Sequence, residues 1–387
     1  MHNPVEIVLP VLAVLAQWQM GRAWLAHASR VGLPAVWARA LLGTYYAVVA
    51  AGVAIGLPAI AGPLGINRWV SALLGGATYL WAYTSTAVYL VYALVGWVLR
   101  RFFAAPFDPA RRRLLNAVSG ALAASPLVVV GYGALVERTS FRVHEVEVPI
   151  PSLPRDLDGL RLVQLSDIHL SAFLSEGELA RAIDAANQTR AHVALVTGDL
   201  ISMQGDPLDA CLRQIARLRA EAGILGCMGN HEEYAHAKEY ALKEGSRLGV
   251  RFLRFETQQL RFGSATLNFA GVDYQPLWRK GRYLAGAERL TIPGAVNVLL
   301  SHNPDVFPVA ARKGFDLTLA GHTHGGQVTV EILNQTLNPA RFLTPYVYGL
   351  YREGGKSVYV TRGIGTIGIP ARLGAPPEIT LLRLRRV

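Results

Sequence analysis

Five short segments gather the residues of this chain best suited to bind a metal: Asp167-Ile168-His169, Gly198-Asp199, Gly229-Asn230-His231-Glu232, Ser301-His302-Asn303-Pro304 and Gly321-His322-Thr323-His324. Each follows a short β-rich run, so each is expected at a strand end. Imidazole, carboxylate and amide oxygen without thiolate suit Mn, Fe, Zn or Ni, and seven such ligands are too many for one ion. Two ions sharing a carboxylate fit the number. Two cations about 3.5–4 Å apart clamp a phosphoryl group and make hydroxide from water, so the expected chemistry is phosphate-ester hydrolysis by a metal-bridging hydroxide. The other five histidines, His2, His27, His144, His192 and His236, lack such neighbours and read as ordinary surface or core residues. Gly198, Gly229, Gly321, Gly325 and Gly326 stand beside the ligands, where a sharply turning backbone brings them close.

The elements that must position these residues lie after about residue 158. Strands are expected at Leu160 to Leu165, Val193 to Thr197, Ile224 to Met228, Leu267 to Ala270, Val296 to Ser301, Leu317 to Ala320, Ser357 to Thr361 and Ile379 to Leu384. Helical length and periodicity mark 176–189, 206–220 and 235–248. Strands alternating with helices and then strands nearly alone give an α+β domain of packed sheets flanked by helices. Ligands at the carboxyl ends of such strands converge on one crevice.

The preceding third is different. The chain has 387 residues, 51% apolar and 17% charged, which is too oily for one water-soluble body and excludes disorder. Apolar segments at 5–27, 38–61, 69–99 and 114–136 each reach the ~20 residues that cross a bilayer, so an all-α region of four transmembrane helices is expected over 1–136, then a linker over 137–157. The net charge is +11, of which residues 1–136, with nine Arg, no Lys and two acids, hold +7. That excess reads as membrane topology, and nucleic acid is not expected as a partner. Arg30 and Arg39, then Arg100, Arg101 and Arg111 to Arg113, mark cytoplasmic loops, which puts everything after residue 136 on the extracytoplasmic side of a multi-pass protein. Cys211 and Cys227 exclude a disulfide scaffold but leave one bridge open.

The ordered set Asp-x-His, Gly-Asp, Gly-Asn-His-Glu, an isolated His and Gly-His-x-His resembles the calcineurin-like metallophosphoesterase superfamily from about residue 158 to the C-terminus. The ending, Thr361 to Gly365 and Arg372 to Ile379, is similar to its membrane-anchored bacterial branch, which implies an inner-membrane location. The resemblance implies an αββα sandwich and two divalent ions, manganese first, with Fe, Zn or Ni as alternatives. It implies that Asp167, His169 and His324 hold one ion, that Asn230, His302 and His322 hold the other, and that Asp199 bridges them. His231 is implied as the catalytic residue that contacts phosphate and protonates the leaving oxygen. Arg362 and Arg372 are the implied substrate contacts. The run Gly198-Asp199-Leu200-Ile201-Ser202-Met203 departs from the Gly-Asp-x-x-Asp-Arg-Gly of the protein phosphatases, which weakens that role.

Asp206 reads either as the N-cap of a helix beginning at Pro207 or as a carboxylate orienting His231. The segment Val272 to Leu284, with Tyr274, Trp278, Arg279, Lys280 and Arg282, reads either as a cover over a phosphate or as a solvated loop. Three functions follow: hydrolysis of a phosphodiester or pyrophosphate of a membrane lipid or lipid-linked nucleotide, a tethered general nucleotide phosphodiesterase, and a non-catalytic membrane sensor or scaffold. The sequence leaves the oligomeric state open.

Overall fold

The computed structural model describes residues 4–30, 32–102, 125–126, 128–332 and 335–387. The chain divides into two compact units, residues 1–135 with 368–371, and residues 136–367 with 372–387.

In the first unit, α1 (Pro4–Arg30), α2 (Ala35–Ile55), α3 (Pro58–Ala61) and α4 (Arg68–Phe102) follow one another. Pro58 disfavours helical backbone at Leu57 and separates α2 from α3. Among the described residues only α2 is both long and apolar enough to cross a membrane, which corrects the expectation of four spans. With 27 and 35 residues α1 and α4 have the length. However, Gln17, Gln19, Arg22 and His27 in α1, and Ser71, Thr78, Thr84, Ser85 and Thr86 in α4, dilute their apolar character. The expected segment at 114–136 lies mostly outside the described residues. Among the polar side chains of α1 and α4, Gln17, Ser71, Ser85 and Thr86 are buried: Gln17 Nε2 donates to Ser85 Oγ (2.8 Å), and Tyr45 OH donates to Gln17 Oε1 (2.7 Å). Trp81 donates its indole N–H to Tyr45 OH at 3.1 Å.

The second unit runs β1 (Arg142–Ile150), β2 (Arg161–Leu165), α5 (Glu176–Gln188), β3 (Val193–Thr197), α6 (Leu208–Ile215), β4 (Ile224–Cys227), α7 (Asn230–Tyr234), α8 (Lys238–Arg247), β5 (Val250–Phe252), β6 (Glu256–Phe262) and β7 (Ala265–Gly271). It continues with β8 (Val296–Leu300), α9 (Phe307–Arg312), β9 (Leu317–Ala320), β10 (Val330–Ile332), β11 (Gln335–Leu337), β12 (Gly349–Glu353), β13 (Lys356–Val360) and β14 (Glu378–Arg386). One mixed sheet has the order β1-β14-β2-β3-β4-β5 and the other β12-β13-β9-β8-β7-β6. Residues 142–150, expected as linker, are strand β1, paired in parallel with β14. Pro149 and Pro151 disguised it, and β1 is an edge strand, where a missing backbone N–H is tolerated.

Alternation along the strands builds the layers. In β3, Val193 and Leu195 enter the core between the sheets with Phe269, Val298 and Leu317. Ala194 and Val196 face the other way, toward Leu179 and Ile183 of α5 and Leu212 of α6. Burying each such Val or Leu contributes roughly 1.5–3 kcal/mol. The start of α5 is set by a capping box, in which Ser175 Oγ accepts from Glu178 N (3.2 Å) and Glu178 Oε2 from Ser175 N (2.7 Å). The inward stripe Leu179, Ala182, Ile183 and Ala186 then follows at helical spacing. Phe307 and Ala310 of α9 cover the far face of the second sheet. Cys211 lies in the helix-facing core and Cys227 between the sheets, both buried as free thiols, so they do not pair.

Candidate metal centre

Five strand ends supply the cluster. β2 leads into Asp167 and His169, β3 into Asp199, β4 into Asn230 and His231, β8 into His302, and β9 into His322 and His324. β2, β3 and β4 are parallel neighbours in one sheet, and β8 and β9 in the other, so each sheet presents its ligands at one end.

The backbone there is unusual. Asp167 (φ 50°), His169 (48°), Asp199 (56°), His322 (75°) and His324 (52°) all occupy the left-handed region, at roughly 1–3 kcal/mol each. Hydrogen bonds between the strand ends hold them there, Asp167 N to Gly198 O and His169 N to Asp199 O, each at 3.0 Å. Two glycines make room. A Cβ at Gly321 would overlap the Asp167 carboxylate, and one at Gly229 would overlap that of Asp199.

Glu232 was quoted in the sequence motif without a role. Its buried carboxylate accepts from the backbone N–H groups of Gly229 (2.8 Å), Asp199 (3.0 Å) and Leu200 (2.7 Å). It clamps the β3 and β4 ends together. Its backbone partners leave no mark in sequence spacing.

The ligand atoms converge. Asp199 Oδ2 lies 3.0 Å from His302 Nε2 and 3.4 Å from His169 Nε2. Asp167 Oδ1 lies 3.4 Å from His324 Nε2, and His169 Nε2 is 3.1 Å from His324 Nε2. The groups Asp167/His169/His324 and Asp199/His302/His322 each bring one ligand atom per residue within 4.8 Å of the others, with Asp199 also close to His169 and His231. His302 donates Nδ1–H to Thr197 O (2.7 Å), which turns Nε2 toward Asp199.

Two observations test whether divalent cations fit. Asn230 Oδ1 is buried without a hydrogen-bond partner, an arrangement that native proteins rarely leave uncompensated. The charges also ask for a cation. Burial works against ionisation of Asp199, but the His302 charge and the approach of His169 outweigh it and hold the carboxyl well below the usual range. Burial likewise pulls His302 down, yet Asp199 prevails and raises it to about 10. Burial, assisted by the His302 charge, pushes His322 down to about 3, and burial also holds His324 well below its usual value. Neutral imidazoles at His322 and His324 beside the ionised Asp199 carboxylate suit divalent cations, and a cation bound at Asp199 would take the place of the proton that His302 holds there.

His231 N donates to Asp199 Oδ1 (2.9 Å), and its Nδ1 lies 2.5 Å from Ser202 O. Burial lowers its pKa. Asp206 does not cap α6, which has no side-chain cap. Its Oδ2 accepts from Ser202 N (3.1 Å) and Met203 N (2.9 Å), bracing the turn whose carbonyl receives His231.

The two arginines separate. Arg372 is fully buried, and its guanidinium donates to the carbonyls of Gly365, Ala375 and Arg362 at 2.5–3.1 Å. Arg362 is half-buried, stacked 4.4 Å over the Tyr348 ring and 3.6 Å from Glu378 Oε2, with its stem beside Gly325, next to His324. Tyr274 packs its ring 5.4 Å from that of His322 and 6.1 Å from that of His302.

Residues 160–326 match the family described as calcineurin-like phosphoesterase. The chain is 30% identical over 282 residues to the uncharacterized metallophosphoesterase YkuE of Bacillus subtilis, covering 71% of this chain and 97% of that protein. It is 30% identical over 272 residues to a transmembrane protein with metallophosphoesterase domain of Danio rerio, covering 67% of this chain and 61% of that one. To phosphodiesterase YaeI of Escherichia coli it is 26% identical over 275 residues, covering 71% of this chain and 98% of that protein.

Proposed function

Since this chain belongs to the calcineurin-like metallophosphoesterases and is a metal-dependent phosphoester hydrolase, we propose that it hydrolyses a phosphodiester or pyrophosphate of a membrane lipid or lipid-linked nucleotide. The observation that carries the chemistry is the convergence of Asp167, His169, Asp199, Asn230, His302, His322 and His324 from the strand ends of both sheets. In this reading Asp167, His169 and His324 hold one cation, Asn230, His302 and His322 the other, and Asp199 both. Two divalent ions, manganese foremost, supply charge to offset the phosphoryl oxygens and lower the pKa of water. The residues around them position and protonate. Nδ1 of His231 is engaged by Ser202 O, which leaves Nε2 to donate a proton to the leaving oxygen. Arg362, its guanidinium flat on Tyr348, is the proposed phosphate contact. The carbonyl-bound Arg372 is proposed to hold the turn that carries Arg362.

The lipid assignment rests on tethering. A helix apolar enough to cross a membrane lies in the same chain, and a curated relative is described as a transmembrane protein.

The test loads the full-length protein in nanodiscs with manganese. It compares turnover of a chromogenic phosphodiester, a phosphomonoester and a lipid pyrophosphate, with Asp199→Asn as control. The lipid substrate should turn over fastest, and only in the wild-type protein. A soluble diester hydrolysed as fast as the lipid would instead favour a tethered nucleotide phosphodiesterase.

A further inference from the structure

Trp278 and Phe342 are the most exposed large apolar side chains described in the second unit, at 78% and 90%. They belong to two loops that meet the same part of the site. Asn303, next to ligand His302, donates Nδ2–H to Gln275 O (2.5 Å) at the root of the loop that carries Leu277 and Trp278. The other loop is pinned by Asn338 Nδ2 donating to Gly325 O (2.7 Å), just past ligand His324, and by Thr344 Oγ1 donating to Asp305 Oδ1. Buried Tyr283 and Leu284 root the first loop while Leu277 and Trp278 project. Leu343, beside Phe342, is also exposed.

The charge of the two loops is one-sided. Arg279, Lys280 and Arg282 follow Trp278, Arg341 precedes Phe342, and neither 274–287 nor 339–343 contains an acidic residue. All four cations are exposed. The Arg279 guanidinium lies 4.7 Å over the Trp278 ring. A cleft of about 820 Å³ opens between Phe255, Trp278, Arg279 and Arg282, with room for a small anionic group. Projecting Trp, Phe and Leu flanked by Arg and Lys are the composition that seats a surface at the headgroup boundary of an anionic bilayer.

From this we propose that the paired loops at 275–284 and 339–344 form an interfacial docking surface, inserting Trp278, Leu277, Phe342 and Leu343 into an anionic bilayer and bringing the metal centre to phosphates at the headgroup plane. The proposal deepens the lipid-substrate reading and rests on it for its purpose, but insertion is measured without catalysis.

The test uses the full chain with a nitroxide at Trp278→Cys or, independently, at Phe342→Cys. Native Cys211 and Cys227 are fully buried and stay unlabelled. Arg219→Cys, exposed just before β4 at the opposite end of the sheet, is the reference position. In nanodiscs of phosphatidylcholine with phosphatidylglycerol, labels at 278 and 342 should lie about 5–10 Å below the headgroups, shielded from aqueous nickel and open to oxygen. The label at 219 should stay in water, and phosphatidylcholine alone should reduce the inserted fraction several-fold. Labels at 278 and 342 as open to nickel as that at 219 would overturn the proposal, as would shielding from both oxygen and nickel, the mark of a second protein copy. Replacing the four apolar residues by Ser should lower the ratio of lipid to soluble-diester turnover several-fold. Labels that insert in a wild-type enzyme inert toward lipid pyrophosphate would sink the substrate reading and leave the docking surface standing.

Discussion

In the helical unit, Trp37 and Val48 are 63% and 66% exposed while Gln17, Ser85 and Thr86 are buried. In the second unit, Leu195, Phe269 and Leu317 are fully buried, and buried Asp167, His169, Asp199, His302 and His324 gather in one cluster. The contact surfaces differ as well. A Cβ at Gly56 after α2 would come within 2.7 Å of Gly75 Cα in α4, so those helices touch through small residues, whereas the two sheets meet through branched and aromatic side chains. Helices that meet at small residues and satisfy polar groups inwardly suit an apolar surrounding, where lipid offers no hydrogen bonds and burial of carbon gives little drive. A sandwich with an oily middle suits water. The difference teaches that the two units are held together by different contacts, and that the cluster of candidate ligands lies in the one with the oily middle.

Five substitutions sharpen or break that contrast. The largest effect is expected in the polar cluster: Asp199→Asn should cut turnover by more than about 10³-fold, roughly 4 kcal/mol of barrier, and lower the bound metal found by elemental analysis. Activity within tenfold of wild type would break the two-cation reading. His231→Ala should cost about 10²–10⁴ in kcat with metal content retained, which equal losses of both would contradict. Leu195→Ala between the sheets should destabilise by about 2–5 kcal/mol, followed as the denaturant midpoint of activity loss. Its counterpart Val48→Ala should stay within about 0.5 kcal/mol, and comparable costs would mean that α2 faces a packed protein partner. A comparably small effect is expected for Gln17→Leu, about 0.6 kcal/mol by thermal unfolding in lipid nanodiscs. A loss of several kcal/mol would mark Gln17 as a buried polar residue of a water-facing bundle.

The strands that carry ligands were legible because each joins a β-branched run to Gly, Asp, Asn or His at its end, as at Val193 to Asp199. β1 was hidden by its prolines. β6 was hidden by composition, since Glu256-Thr-Gln-Gln-Leu-Arg-Phe is a polar, half-exposed edge strand without a buried run. The candidate ligands were legible by type and order, and the structure gathers Asp167, His169, Asp199, His302, His322 and His324 within reach of one another, with Asn230 at the adjoining end of β4. Glu232 and Arg372 were not legible in role, because both bind backbone groups from segments that only the fold makes neighbours. The four-span expectation counted apolar length, whereas α1 and α4 carry polar residues that satisfy one another inside the unit.

The centre takes Asp167, Asp199 and Asn230 from one sheet and His302, His322 and His324 from the other. Cations held there as proposed would act as rivets through the sandwich, and prying the layers apart would mean releasing them. The mechanical integrity of this unit would then be tied to its mineral supply: at a thousandfold excess of free metal over its dissociation constant, mass action would add about 4 kcal/mol against unfolding. Starving such a centre of metal would loosen the architecture in the same act that silences it.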